Sequence, residues 1–271
     1  MSGELSLRDV QLSCLNIMKA FDAFCKENNL TYFLSGGTLL GAIRHKGFIP
    51  WDDDVDLMMP REDYQRMLTL DFPDERYGFF CLEKMKDYSR PWVRMTDKST
   101  VISGMAHFSG DTEAICIDIF PIDGIPAGKL ATKLFFKRIR LNDALCKSAK
   151  RNYTPDGERF RRLKQVLLAL LKPIGARRFA IRMNRIAMKY PFATSKFRGV
   201  SMVTHYGARE KMEAKVFDHA VEVDFEGMKF PAPNGWHDYL SRLYGDYMQL
   251  PPEHARSCHF ARYTKLEEEA S

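Results

Sequence analysis

No two of the six cysteines (Cys14, Cys25, Cys81, Cys116, Cys146 and Cys258) stand at CxxC spacing. A zinc knuckle therefore lacks its ligand pairs, and free thiols in a reducing compartment are expected. Long apolar runs are missing too: the longest purely aliphatic stretch is VLLALL, Val166–Leu171, far short of the ~20 residues that a membrane span needs. Residues 1–9 are polar and no uninterrupted apolar segment follows, so no secretory leader is expected and the cytoplasm is the expected compartment. His237, His254 and His259 have irregular spacing and no cysteines beside them, and they read as ordinary surface or core residues rather than metal ligands. What is present is a chain of 271 residues, 45% hydrophobic and 28% charged, enough for one large domain or two small ones.

The stretch Tyr32–Tyr64, YFLSGGTLLGAIRHKGFIPWDDDVDLMMPREDY, carries the densest chemical pattern. An apolar run ends in Gly36 and Gly37, where the lack of side chains lets backbone amides approach a ligand. Thr38–Arg44 reads as a short helix whose N-terminus would offer unpaired amides and the positive dipole end to a phosphate. After a loop, Asp52, Asp54 and Asp56 alternate into a second apolar run. Residues two apart in a strand share a face and stand ~7 Å apart, so Asp54 and Asp56 should project together while Val55 and Leu57 face the core. Asp52 has the same parity but lies close to Pro50 and Trp51, and Asp53 should point away. Adjacent carboxylates repel, and one is pushed towards protonation unless a cation intervenes. Magnesium, or manganese, suits such an open pair, because it takes one or two carboxylates together with substrate phosphates and water. A solvated acidic turn capping the helix that Pro60, Arg61, Glu62 and Asp63 open is the bland alternative. The phosphate cradle and carboxylate pair within one strand, helix, strand unit favour metal-dependent phosphoryl transfer instead.

These residues also carry a resemblance. GGTLLGAIRHKGFIPWDDDVD resembles the LicD family of phosphocholine transferases, related to the fukutin group and the wider nucleotidyltransferase superfamily. Further matches are IDIFPIDGIP (Ile117–Pro126), FEGMKFPAP (Phe225–Pro233) and YGDYMQLPP (Tyr244–Pro252), followed by His259. The likeness covers nearly the whole chain except about 129–198. It implies an α/β (α+β) fold: a polymerase-β-like nucleotidyltransferase core with a mixed sheet and flanking helices, plus a basic helical insertion. It further implies transfer of phosphocholine from CDP-choline to a hydroxyl of a cell-surface glycan, such as a lipopolysaccharide or teichoic acid precursor, with release of CMP. Asp54, Asp56 and Asp118 would be catalytic, with Asp52 also available to the metal. Asp118 would be a metal ligand or take the acceptor proton. Gly36, Gly37 and Thr38 would hold donor phosphate, and Arg44, His45 and Lys46 would neutralise the donor or face solvent. Trp51, Trp92 and Trp236 are available as an aromatic wall for choline. Ribitol or glycerol phosphate from a CDP carrier, nucleotidyl transfer to a small molecule, and a non-catalytic lipid- or RNA-binding module are the alternatives.

Elsewhere, residues 6–28 form an amphipathic helical pattern with Ser6 and Asp9 at capping-box spacing. Arg61–Leu70 reads as a helix, and Phe79–Leu82, Trp92–Met95 and Thr100–Ser103 as strands. In Ala114–Phe120 the isoleucines 115, 117 and 119 share a face, and Asp118 in so apolar a strand must be paired, at an end, or on a metal. Asp123 reads as a turn residue. Val216–Phe230 suggests a hairpin and Trp236–Tyr244 a helix. Between 129 and 198, twenty Lys and Arg face only Asp143, Asp156 and Glu158, a net +17 in a chain of net +6, which leaves −11 for the rest. This block reads as helices with a basic face, suited to peripheral contact with an anionic membrane on the cytoplasmic side. Nucleic acid is not expected, since no RNA-binding motif accompanies the charge. The expected organisation is a packing helix over 1–30, a catalytic core over 31–128, the basic segment over 129–200 and a C-terminal part over 201–271.

Overall fold

The capping box at Ser6 opens the first element of the computed structural model, which describes residues 4–103, 114–151, 161–256 and 262–265. The Ser6 hydroxyl accepts from the Asp9 amide, and the Asp9 carboxylate accepts from the Ser6 amide at 2.9 Å. Helix α1 (Leu7–Glu27) then buries Val10, Cys14, Ile17, Met18, Phe21 and Phe24 along one face, the 3.6-residue period that its sequence predicts. Strand β1 (Phe33–Leu34) leads directly into α2 (Gly36–His45), so both glycines lie in the helix's first turn rather than in a loop before it. Strand β2 (Asp56–Pro60) follows, then α3 (Arg61–Leu68).

Next come β3 (Tyr77–Phe80), β4 (Val93–Asp97), β5 (Thr100–Ser103) and β6 (Cys116–Ile125). The basic block supplies α4 (Lys129–Lys150), α5 (Arg161–Leu171) and α6 (Ala176–Ala187). The chain closes with β7 (Phe197–Gly199), β8 (Met212–Glu213), β9 (Ala220–Phe225), β10 (Met228–Pro233), α7 (Trp236–Tyr244) and β11 (Arg262–Lys265). Cys258 and His259 lie outside the described residues. No described helix is long and apolar enough to cross a membrane.

The main sheet runs β1-β2-β6-β4-β3, and β7 and β8 extend it from the far half of β6. Among the described residues β2 and β6 are the one parallel pair of this sheet, with Asp56 opposite Asp118, and its other pairs are antiparallel. This mixed sheet with flanking helices is the α+β architecture expected of a nucleotidyltransferase-like fold. The principal core draws on α1, α2, the sheet and residues 200–247 together. Two smaller clusters serve the basic helices: Phe135, Phe136 and Ile139 meet Met183 and Ile186 over Ile125, while Cys146, Leu171 and Phe179 meet Leu82 and Tyr88. The β9–β10 hairpin turns through Glu226 and Gly227, both at positive φ (51° and 75°), the geometry that a two-residue hairpin turn requires.

Asp123 corrects its sequence reading. It lies inside β6, which continues beyond Phe120 to Ile125, and is completely buried rather than in a turn. Arg61 donates to both of its oxygens, at 2.7 and 2.6 Å, and also to the Asn184 side chain at 3.0 Å, tying α3, β6 and α6 together. The apolar continuation of β6 masked this residue, because only its partner's location reveals why a charge sits there. Removing one member of so enclosed a pair strands the other. Asp123→Ala is therefore expected to cost about 3–5 kcal/mol in urea unfolding followed by circular dichroism; a loss below about 1 kcal/mol would mean that Arg61 escapes to solvent.

Candidate active site

The parallel pairing of β2 with β6 builds the site, because it sets Asp56 at the start of one strand beside Asp118 of the other. Arg94, opposite Asp118 on β4, donates to its carboxylate at 3.0 Å. Asp54 is not on the strand: β2 starts at Asp56, so Asp52, Asp53 and Asp54 form the incoming loop. Asp54 is exposed and Asp52 half-buried, and these two share a hydrogen bond. Asp53 is buried. Helix α1 anchors the loop: Gln11 donates to the Asp52 carbonyl at 2.8 Å, and the Cys14 thiol to the carbonyls of Asp53 and Cys116.

Helix α2 points its N-terminus at these carboxylates. Ser35 donates its amide to the Asp56 carbonyl at 2.9 Å, and the Asp56 amide donates to the Thr38 hydroxyl at 2.8 Å. Gly36 holds a left-handed φ of 48°, and a methyl group on it would stand 3.2 Å from Asp56 Oδ2 and 3.7 Å from the Tyr244 hydroxyl. A methyl group on Gly37 would stand 3.0 Å from Asp52 Oδ2. Both glycines thus let backbone reach the carboxylates, while the Thr38 oxygen is already engaged in fixing Asp56.

The structure brings Gly36, Gly37 and Thr38 to Asp52 and Asp56, but it sets Arg44, His45 and Lys46 at the opposite end of α2, a helix ~15 Å long. Arg44 donates to the Tyr247 carbonyl at 2.9 Å and to the His45 ring at 2.9 Å, and Lys46 is exposed in the left-handed helix cap. Of the three tryptophans, Trp51 precedes the aspartate loop and carries the Arg256 guanidinium 4.9 Å from its ring centre. Trp92 packs on Phe120, and Trp236 packs against the main core. His237 bonds to the Tyr247 hydroxyl at 2.7 Å and takes no part in the carboxylate group.

Three tyrosines not singled out from the sequence form a wall beside Ser35 and Gly36. Tyr244 and Tyr206 share a 2.6 Å hydrogen bond, and Tyr239 meets the Ser35 hydroxyl at 3.2 Å. Tyr244 opens the YGDYMQLPP match and could have been found there; Tyr206 lies in no such motif. Burial, with nearby Asp56 contributing, pushes Tyr206 up to about 12 and Tyr244 well above the ordinary phenol value. Both remain neutral hydrogen-bonding groups at physiological pH.

Among the described residues, no three His, Cys, Asp or Glu side chains converge closely enough to hold a metal ion in this arrangement. The donors around Asp56 are nevertheless all hard carboxylate oxygens, and magnesium commonly needs only one or two from the protein. Their electrostatics fit a cation as well. Burial, then Asp54, Asp118 and Asp52, hold the Asp56 carboxyl well above the usual carboxylate range, against the opposing pull of Arg94. Burial raises Asp52 too.

Comparison with known proteins places the chain in a family. Residues 29–140 match the LicD/FKTN/FKRP nucleotidyltransferase domain. The lipopolysaccharide cholinephosphotransferase LicD of Haemophilus influenzae is 36% identical over 270 residues, covering 94% of this chain and 96% of that protein. The chain belongs to the LicD family. Shorter likenesses within this LicD-family chain are to an uncharacterised Rickettsia prowazekii protein, 46% identical over 52 residues (19% of this chain, 20% of that one), and to the ribitol 5-phosphate transferase FKRP of Homo sapiens, 62% identical over 32 residues (12% of this chain, 6% of that one).

The crowding around Asp56 has a stability consequence. With its folded pKa above the unfolded value of about 4, the native state retains a proton that the unfolded chain releases, so stability falls as pH rises between the two values. Asp56→Asn removes this penalty. It is expected to stabilise the protein on the order of 1 kcal/mol at pH 7–8 and by less towards pH 4. Thermal melts across that range in metal-free buffer test this, and a destabilised variant at pH 8 would contradict it.

Proposed function

We propose that this LicD-family chain transfers phosphocholine from CDP-choline to a hydroxyl of a cell-surface glycan precursor, releasing CMP. The observation that carries the reading is full-length similarity to a protein named lipopolysaccharide cholinephosphotransferase, joined to a carboxylate group beneath a glycine-opened helix N-terminus. The first-turn amides of α2 would bind phosphate oxygens, and the absence of Cβ atoms on Gly36 and Gly37 permits the approach. Asp56 and Asp54 would hold magnesium or manganese, with Asp52 and Asp118 within the same charged group. Such an ion, when bound, would offset the diphosphate charge and help orient it for in-line displacement.

Thr38 fixes the backbone of Asp56, while Arg94 fixes the side chain of Asp118. Asp118, so oriented, would serve the metal or receive the proton of the attacking hydroxyl. The neutral Tyr206–Tyr244 pair would present hydrogen-bonding hydroxyls to donor or acceptor oxygens without adding negative charge. Trp51 offers an aromatic face that already accepts a cation from Arg256, a property that suits the quaternary ammonium of choline. The short, strong likeness to a ribitol 5-phosphate transferase favours ribitol phosphate as the second reading of the transferred group.

The test is CMP release from CDP-choline with magnesium and a glycan-lipid extract, following choline label into the extract. Asp54→Asn and Asp56→Asn are each expected to lower turnover on the order of a hundredfold or more. Removal of divalent metal by chelation should have the same effect, reversed by added magnesium. Consumption of CDP-ribitol but not CDP-choline, in an aspartate-dependent manner, would replace the donor while retaining the site. Undiminished turnover by both aspartate variants would reject the site.

A further inference from the structure

The basic helices hold most of the molecule's cationic surplus, and the transfer chemistry leaves it unexplained. Helix α4 has a satisfied inner face, since Phe135, Phe136, Ile139 and Cys146 are buried. Its outer face is not the wholly polar surface that a solvated helix presents. Leu130, Leu134 and Leu141 are 76%, 55% and 58% exposed. Their spacings of four and seven residues place them within an arc of roughly 40° on the helix. Lys133, Lys137 and Arg140 border this leucine stripe on one side and Arg138 on the other, all four exposed. Helix α5, packed against α4, adds Val166 and Leu170, 58% and 64% exposed and one turn apart.

We infer that the outer face of α4, extended by α5, docks on an anionic lipid bilayer surface. Long cationic side chains flanking an aliphatic stripe are what an interfacial helix uses: the stripe enters the acyl boundary while the cations remain at headgroup level. The charge distribution selects the partner. Residues 129–198 carry +17 while the remainder carries −11, so an anionic plane attracts this segment and repels the rest of the chain, and Lys133, Lys137, Arg138 and Arg140 put part of that charge beside the leucines. A second copy of the chain fits poorly, because a two-fold contact pairs a patch with itself and would set these cations against one another. Nucleic acid would satisfy the cations but leave exposed leucines without a role.

The experiment is sedimentation of the full chain with vesicles of equal parts phosphatidylglycerol and phosphatidylcholine, compared with pure phosphatidylcholine vesicles. Binding to the anionic vesicles, weakened by salt and negligible on the neutral ones, is expected. Lys133→Glu, Lys137→Glu and Arg140→Glu together should weaken it on the order of a hundredfold. Leu130→Gln, Leu134→Gln and Leu141→Gln together should weaken it roughly tenfold or more, and these exposed positions should leave the thermal melt unchanged. Failure to bind anionic vesicles would overturn the inference, as would binding indifferent to the leucine substitutions. Equilibrium sedimentation showing a dimer that the leucine variant dissociates would assign the face to a second copy, and RNA binding without vesicle binding would assign it to nucleic acid. Donor turnover does not enter the measurement, so the docking face and the transferase reading stand or fall separately.

Discussion

Mutual repulsion among carboxylates gathered at one point is the constraint on which the rest of the structure depends. Parallel pairing of β2 with β6 sets Asp56 beside Asp118, and the loop before β2 brings Asp52 and Asp54 to the same place. Left alone, this charge would push the loop outward into water. The surrounding protein opposes that motion: Gln11 and Cys14 of α1 hold the loop backbone, Thr38 and Ser35 hold the backbone of Asp56, and Arg94 offsets Asp118. Of these named restraints Arg94 carries charge, and the others are neutral hydrogen bonds to main-chain groups. Burial and the neighbouring carboxylates still hold the Asp56 carboxyl up against the pull of Arg94, the condition in which an arriving cation gains most.

The scaffold can carry that cost because the elements around the site share one core. Helix α1 ends shortly before β1 in sequence, and its buried face packs in the same cluster as β2, β6, α7 and the β9–β10 hairpin. The bidentate Arg61–Asp123 pair lies further along the same two strands, at the junction with α3 and α6. One stretch of β6 thus serves two electrostatic purposes. At Asp118 the carboxylate is partly exposed and accepts from Arg94; at Asp123 it is sealed and accepts from Arg61 through both oxygens. The first stays open towards the carboxylate group, whereas the second ties β6 to α3 and α6.

Local signals made much of this legible in the amino-acid order. The Ser6–Asp9 capping box and the spacing of Val10 through Phe24 predict α1, because helix ends and helix faces are encoded within a few residues. The alternation from Val221 to Phe225, closed by Glu226 and Gly227, likewise predicts a hairpin strand. Gly36, Gly37, Asp52, Asp54 and Asp56 stand within twenty-one residues of one another, so their association could be read from a single strand, helix, strand unit, whereas Asp118 was reached through its apolar strand and the family resemblance. Pairings across long separations could not. Asp123 and Arg61 are sixty-two residues apart, and Ser35 and Tyr239 two hundred and four, so neither carries a periodic or motif signal for its partner. The placement of α2 also shows where a local reading reaches its limit: Arg44 to Lys46 follow the glycines closely in sequence, yet a helix laid between them carries the two groups apart.

A continuous set of contacts joins the basic helices to the site. Asp143, the only acid within α4, accepts a hydrogen bond from Thr204 at 2.8 Å. Two residues later Tyr206 bonds to Tyr244, whose hydroxyl stands close to Gly36 at the head of α2. Lys211, beyond the same short segment, donates to Thr132 of α4 and to the Ala127 carbonyl, bracing it from the other side. A shift of α4 on engaging a surface would therefore be felt by the tyrosine wall through two hydrogen-bonded braces rather than through a flexible linker. Half-buried Asp143 bonds to Thr204 and to Lys147 one turn away, and so ties the segment that leads to Tyr206 to the helix whose outer face carries the leucines.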